Sequence, residues 1–166
     1  GLGIHLAQIA AAAGANILGF TTHKKKLEKI ASIGFEQVFL HQDGVDPSDL
    51  VMAFTEDKGA DIVVNPVGSA VFTSGLRSLA NNGCMVLLGE IKGESVAVNP
   101  AEIIFRDVSI VGCKGADMHH IETAIRMVSM GNIKPIIDSV FSFDEVLIAY
   151  EQVKSGLSLG RVVLVP

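Results

Sequence analysis

The chain has 166 residues, of which 49% are hydrophobic, and a formal net charge of −5, which is one domain's worth of sequence with enough apolar surface for a sizeable core. The negative balance argues against a general affinity for nucleic acid, and no apolar run reaches the ~18 residues of a membrane span, so neither partner is expected. Two cysteines, Cys84 and Cys113, form no Cys-x-x-Cys pair, and the five histidines show no ligand spacing; no zinc site is legible and a reduced, cytoplasmic protein is expected.

No signal peptide is legible, and a chain starting without Met reads as beginning at a processing boundary. Gly1-Leu2-Gly3 leads into an Ala-rich run whose large and small apolar residues recur at helical spacing over residues 4–13, ended by Gly14. Residues 16–20 predict a strand with Thr21-Thr22-His23 at its carboxyl end, where open α/β sheets place their ligands. This reads as the latter half of a nucleotide-binding β-α-β unit. In the dinucleotide fingerprint the third glycine permits close helix packing, and only that one can be present, as Gly3, preceded by Gly1 and Leu2. A Gly-x-Gly before a helix also occurs in ordinary turns.

A second helix is predicted over residues 24–33, stopping at Gly34, then a strand over 36–40 and a turn at His41-Gln42-Asp43-Gly44. Asp46-Pro47 is an N-cap followed by Pro at the first helical position, opening a helix expected to end near Lys58-Gly59. Asp61-Ile62-Val63-Val64-Asn65 is a β-branched run of the kind found in parallel strands buried on both faces, and Pro66 ends it. Ser69 is expected to cap a helix through about Asn81 with Gly83 as its stop, before a buried strand over 84–88 that finishes at Gly89-Glu90.

A short helix over 100–105, a strand over 108–113, a helix over 119–130 ended by Gly131 and a strand over 138–141 follow. The doublet His119-His120 falls at the start of the third of these elements, on a solvated helix. Ser142-Phe143-Asp144-Glu145 is a capping box, so Asp144 and Glu145 read as capping groups and not as a catalytic pair. Residues 161–165 close the chain as a strand. Strands alternating with helices predict a doubly wound parallel sheet with right-handed crossovers.

The chain resembles the cofactor-binding domain of the medium-chain dehydrogenase/reductases, the superfamily of zinc alcohol dehydrogenases and zinc-free quinone oxidoreductases. The resemblance is carried by Gly1-Leu2-Gly3-Ile4-His5-Leu6-Ala7-Gln8, by Gly59-Ala60-Asp61-Ile62-Val63-Val64-Asn65-Pro66-Val67-Gly68, by Leu79-Ala80-Asn81-Asn82-Gly83-Cys84-Met85-Val86-Leu87-Leu88-Gly89, and by the tail from Ile133 to Leu164. It implies a single Rossmann-like NAD(P)-binding domain over residues 1–166, including a closing segment from about 133. The family's first strand and its catalytic GroES-like domain, with the substrate site and any zinc ligands, would lie before residue 1. Losing a central strand should bare the flanks of both its neighbours.

Residue by residue, dinucleotide enzymes preferring NAD place an acidic side chain at the end of the second strand to bond the ribose hydroxyls; here that position is Thr21. Thr22 and His23 can donate hydrogen bonds, and Lys24 and Lys26 add positive charge, so NADP(H) is expected over NAD(H). The plain alternative is that the lysines coat a helix's first turn, where cations oppose the helix dipole. The resemblance implies that Pro66, Val67, Leu88, Gly89 and Glu90 flank the adenosine ribose and the nicotinamide side of the groove, that Cys113 follows the strand offering backbone groups to the carboxamide, and that Arg161 faces the pyrophosphate. Strand-to-helix turn chemistry for Pro66 and an exposed strand-edge Arg161 are the plain alternatives. His5 could reach the groove, although a histidine there more often packs in the core.

No catalytic residue is named. The expected function is the NADP(H)-binding part of an oxidoreductase passing hydride between nicotinamide and a carbonyl, alcohol or activated alkene, the small-molecule substrate being held by the domain ahead of it. Quinone-reductase-like and alcohol-dehydrogenase-like chemistry both remain open, and so does a non-catalytic nucleotide-binding or interaction module. The resemblance also implies a homodimer joined through the edge strand near residues 108–113.

Overall fold

A computed structural model describes residues 1–166. In chain order its elements are α1 (Leu2–Ala12), β1 (Gly19–Thr21), α2 (Lys24–Ala31), β2 (Val38–Leu40), α3 (Pro47–Phe54), β3 (Ala60–Asn65), a 3₁₀ turn (Ser69–Val71) entering α4 (Phe72–Arg77), β4 (Leu79–Leu87), α5 (Pro100–Ile104), β5 (Ser109–Gly112), α6 (Met118–Ser129), β6 (Ile137–Ser142), a second 3₁₀ turn (Phe143–Glu145) entering α7 (Val146–Lys154), and β7 (Arg161–Val165). All strand pairs are parallel, as the helix–strand alternation predicts.

The chain divides into two compact units, one of Gly1–His41 with Ala116–Pro166 and one of Gln42–Gly115. The first holds two small sheets, β1-β2 and β6-β7. Its core is Ile4 of α1, Ile30 of α2 and Leu159, with Phe35, Val38 and Ile136 packed around them. The second holds the sheet β3-β4-β5, whose core of Leu76, Leu79, Met85 and Val108 is flanked by Val63, Phe72 and Ile110 among others. Met85 on the central strand is fully buried, and a side chain of that size contributes about 1.5–3 kcal/mol by leaving water. β1 pairs with β2, and β3 pairs with β4.

Local signals account for the caps. Asp46 accepts the Ser48 amide at 3.0 Å with Pro47 at the first helical position. Asp117 accepts the His120 amide at 3.0 Å to start α6, and the Ser142–Glu145 capping box is formed in full.

Three expectations are corrected. α3 stops at Phe54, short of Lys58, because the Thr55 hydroxyl donates to Val51 O (2.8 Å) and accepts the Gly59 amide (2.9 Å) while Glu56 and Asp57 turn left-handed at φ 53° and 61°. The helix expected through Asn81 ends at Arg77, and Gly68, not Ser69, is the residue before its opening turn. The Ser78 carbonyl accepts the Ala60 amide at 2.8 Å, drawing the chain into β4, so Gly83 lies inside a strand. β3 is not buried on both faces: α4 covers Val63 through the small Gly75, whereas Ile62 on the opposite face is 64% exposed. A Cβ on Gly3 would meet no atom of residues 1–166 within 4 Å.

Candidate functional site

In the first unit the candidate residues gather where α1 begins. Gly1 is the N-cap of α1, makes no side-chain capping bond, and no acidic residue stands in the first turn, so the helix's amino end keeps its partial positive charge for an outside acceptor. A Cβ on Gly1 would lie 3.8 Å from the Arg161 guanidinium and 3.3 Å from Gly160 O. The charges of Lys26 and Arg161 both bear on Gly1, with that of Asp138 opposing them. Two cations and an unfilled helix end therefore share one small region. Lys26 is half-buried, and burial lowers its pKa against the pull of Asp138.

Thr21 ends β1 with its hydroxyl accepting the His23 amide at 3.3 Å and its carbonyl accepting the His41 amide at 2.8 Å, which leaves the hydroxyl proton free to donate. Thr22 is exposed. His23 is the extended N-cap of α2, again without a side-chain capping bond, and Lys24, Lys25 and Lys26 open a helix whose first turn has no acid. Asp138, which sequence reasoning passed over, accepts the Leu159 amide at 3.0 Å and Gln152 Nε2 at 2.8 Å and stands 3.7 Å from Lys29 Nζ. Burial resists its ionisation, but these donors and Lys29 outweigh it and hold its pKa below the usual value.

In the second unit Pro66, Val67, Leu88, Gly89, Glu90 and Cys113 come together at the carboxyl ends of β3, β4 and β5. Leu88 N donates to Asn65 O at 3.0 Å, Ile91 N to Val67 O at 3.1 Å, and Cys113 N to Leu87 O at 2.9 Å. A Cβ on Gly89 would approach Pro66 O to 2.9 Å. Asn65, only 2% exposed, closes the turn: its Oδ1 accepts the Val67 and Gly68 amides at 3.0 and 2.8 Å, and its Nδ2 donates to Gly68 O at 3.0 Å. The signal for it was the Asn-Pro pair at a strand end.

Glu90 is the other organiser of these loops. Its carboxylate accepts Ser69 N (2.6 Å), Ser69 Oγ (2.9 Å), Lys92 N (2.8 Å) and Gly93 N (2.9 Å). These donors, the Gly93 amide first and the Ser69 amide next, lower its pKa to about 2. With both oxygens engaged it acts as a loop clamp and has no spare basicity for proton transfer.

A cavity of about 650 Å³ in this unit lies instead beside the amino end of β4, against Leu79, Ala80, Arg77 and Arg106. Its arginines are committed: Arg77 pairs with Asp46 at 3.1 Å, and Arg106 donates to the carbonyls of Leu76 and Leu79. No three His, Cys, Asp or Glu side chains are placed to hold a metal ion, and no helix is long and apolar enough to cross a membrane.

The family profile described as "Zinc-binding dehydrogenase" matches residues 1–130. The chain belongs to that family. It is 28% identical over 99% of its length to an acryloyl-coenzyme A reductase of Metallosphaera sedula, covering 47% of that protein, and 27% identical over 100% to a D-arabinose 1-dehydrogenase (NADP(+)) of Saccharolobus solfataricus, again covering 47%. A solved NAD-dependent alcohol dehydrogenase superposes on the whole chain with a TM-score of 0.86 at 23% identity, the match covering 48% of that structure, which shows the shared α/β fold. The chain spans about half the length of the curated relatives it matches. Those relatives include both NAD- and NADP-dependent enzymes, so the family by itself leaves the choice of coenzyme open. The zinc in the family's description finds no ligand set among these residues, whereas the uncapped amino end of α1, flanked by Lys26 and Arg161, fits a dinucleotide diphosphate.

Proposed function

We propose that this chain is a single NADP(H)-binding domain of a hydride-transferring oxidoreductase. The observation that carries the proposal is the convergence of Arg161 and Lys26 on Gly1, where α1 begins. Amide groups at a helix start, together with a guanidinium that can bond two phosphate oxygens at once, form a suitable seat for a pyrophosphate. Gly1, Leu2 and Gly3 would supply the backbone and Arg161 the fork.

The 2′-phosphate that distinguishes NADP(H) would be held by Thr21, Thr22 and His23 with Lys26, at the acid-free start of α2. A carboxylate at Thr21 would repel that phosphate, and none is present. Taken by itself, the second unit offers the clamped loops bearing Pro66, Val67, Leu88, Gly89 and Glu90, with Cys113, as candidate contacts for a ribose and a nicotinamide. When bound, the coenzyme supplies a hydride donor or acceptor at its nicotinamide ring; these residues bind and orient it. The substrate, a carbonyl, alcohol or activated alkene, would be held by protein outside these 166 residues.

A homodimer belongs to the same reading. β5 pairs on one side only, with β4, and Val111 on it and Phe105 just before it are exposed. The free thiols of Cys84 and Cys113 suit a cytoplasmic location.

Isothermal titration with NADPH, NADH and FAD tests the assignment. NADPH should bind, more tightly than NADH, and FAD should not. A folded full-length protein that binds none of the three would instead support a non-catalytic interaction module.

A further inference from the structure

His5 of α1 touches both sides of the proposed diphosphate seat. Its Nδ1 lies 2.7 Å from Gly1 O, and its Nε2 lies 3.0 Å from the Ile136 backbone nitrogen. A carbonyl can only accept and an amide can only donate, so Nδ1 carries the proton and Nε2 presents its lone pair. A ring protonated on both nitrogens would set donor against donor at Ile136. Three residues on, one turn further along α1, Gln8 repeats the connection with both ends of its amide: Nε2 donates to Lys134 O at 3.0 Å and Oε1 accepts the Lys134 amide at 2.7 Å. Ile136 in turn accepts the Arg161 amide at 2.8 Å through its carbonyl, which also packs directly against Gly160.

We infer that His5, as the neutral Nδ1–H tautomer, is a positioning residue. Through Ile136 it sets the spacing between the Gly1 turn and Arg161, and so aligns the guanidinium with the amino end of α1 for a coenzyme diphosphate. This rests on the coenzyme reading above. His5 touches no coenzyme atom in this role; it acts through the Ile136 amide and the β6-β7 pair that carries Arg161.

The two ring bonds separate by substitution. Asn reproduces the reach of Nδ1 and keeps the bond to Gly1, whereas Gln reproduces the reach of Nε2 and keeps the bond to Ile136. NADPH affinity of the full-length protein that contains this chain should fall about tenfold in His5→Asn and stay within about threefold of wild type in His5→Gln. In an Arg161→Met background, His5→Asn should cost little more, because the residue it positions is gone. Ring ¹H–¹⁵N correlation spectra, with the His5 signal assigned by its loss in His5→Asn, should show a protonated Nδ1 and a bare Nε2. A His5 protonated at Nε2 at neutral pH overturns the tautomer assignment. Wild-type binding with an unchanged His5→Asn constant, or an undiminished effect in the Arg161→Met background, overturns the positioning role alone; absence of dinucleotide binding by the folded full-length wild-type protein overturns the coenzyme reading beneath it.

Discussion

Glu90 accepts the Ser69 amide at 2.6 Å across 21 residues of chain, joining the turn after β3 to the loop after β4. Gly68 is part of the same contact. It sits at φ 97°, and a Cβ there would fall within the Glu90 carboxyl group, so the glycine and the glutamate are a matched pair.

This pair gives a pH prediction. The folded pKa of Glu90, about 2, lies below the ~4.3 of a free glutamate, so the clamp's contribution to stability is full above about pH 4.3 and is lost as pH falls toward 2. Glu90→Gln should lower the urea midpoint at neutral pH and flatten the acid limb of stability against pH. Wild-type and variant curves that run parallel from pH 7 to pH 2 would count against the clamp.

Asn65 is the buried counterpart of that clamp. Asn65→Ala leaves the Val67 and Gly68 amides without their acceptor, and an unsatisfied buried group costs about 1–3 kcal/mol. Urea unfolding should show a loss of that size. Asn65→Asp keeps an acceptor for the two amides but sets a buried carboxylate oxygen against Gly68 O, so it should destabilise as well.

Gly160 holds φ 102°, and a Cβ would run into Ile136 O. Gly160→Ala should cost about 1–3 kcal/mol from backbone strain, with a further loss as the Arg161–Ile136 bond is displaced. Chemical denaturation reads the first effect. NADPH titration of the folded variant reads the second, as weakened binding.

Thr21→Asp places a carboxylate where the 2′-phosphate is proposed to sit. The ratio of NADPH to NADH affinity should fall at least about tenfold, which corresponds to 1.4 kcal/mol. Calorimetry with both coenzymes decides it, and an equal or improved preference for NADPH would remove Thr21 from the site.

Legibility differed between the two units. The Thr21 to Lys26 stretch could be read directly, since a strand end, an N-cap and a run of lysines are neighbours in sequence. The second unit's loops were placed through turn residues, yet Glu90 could be named only as a flanking residue. Its four donors come from residues 69, 92 and 93, and no spacing rule joins residue 90 to residue 69.

The sequence by itself determined what depends on interactions within about one turn of chain: the alternation of helix and strand, the caps at Asp46-Pro47 and Ser142–Glu145, and the glycine stops after α1, α2 and α6. Only the tertiary structure decided what depends on register and close approach. It ended α4 at Arg77 because Ser78 is needed to pair with Ala60, and it left Ile62 on an uncovered sheet face. It also used His5 to hold Ile136, 131 residues away. Periodicity reports which face of an element is apolar. Whether anything covers that face, and which distant backbone group meets a given nitrogen or carboxylate, is decided only when the elements pack.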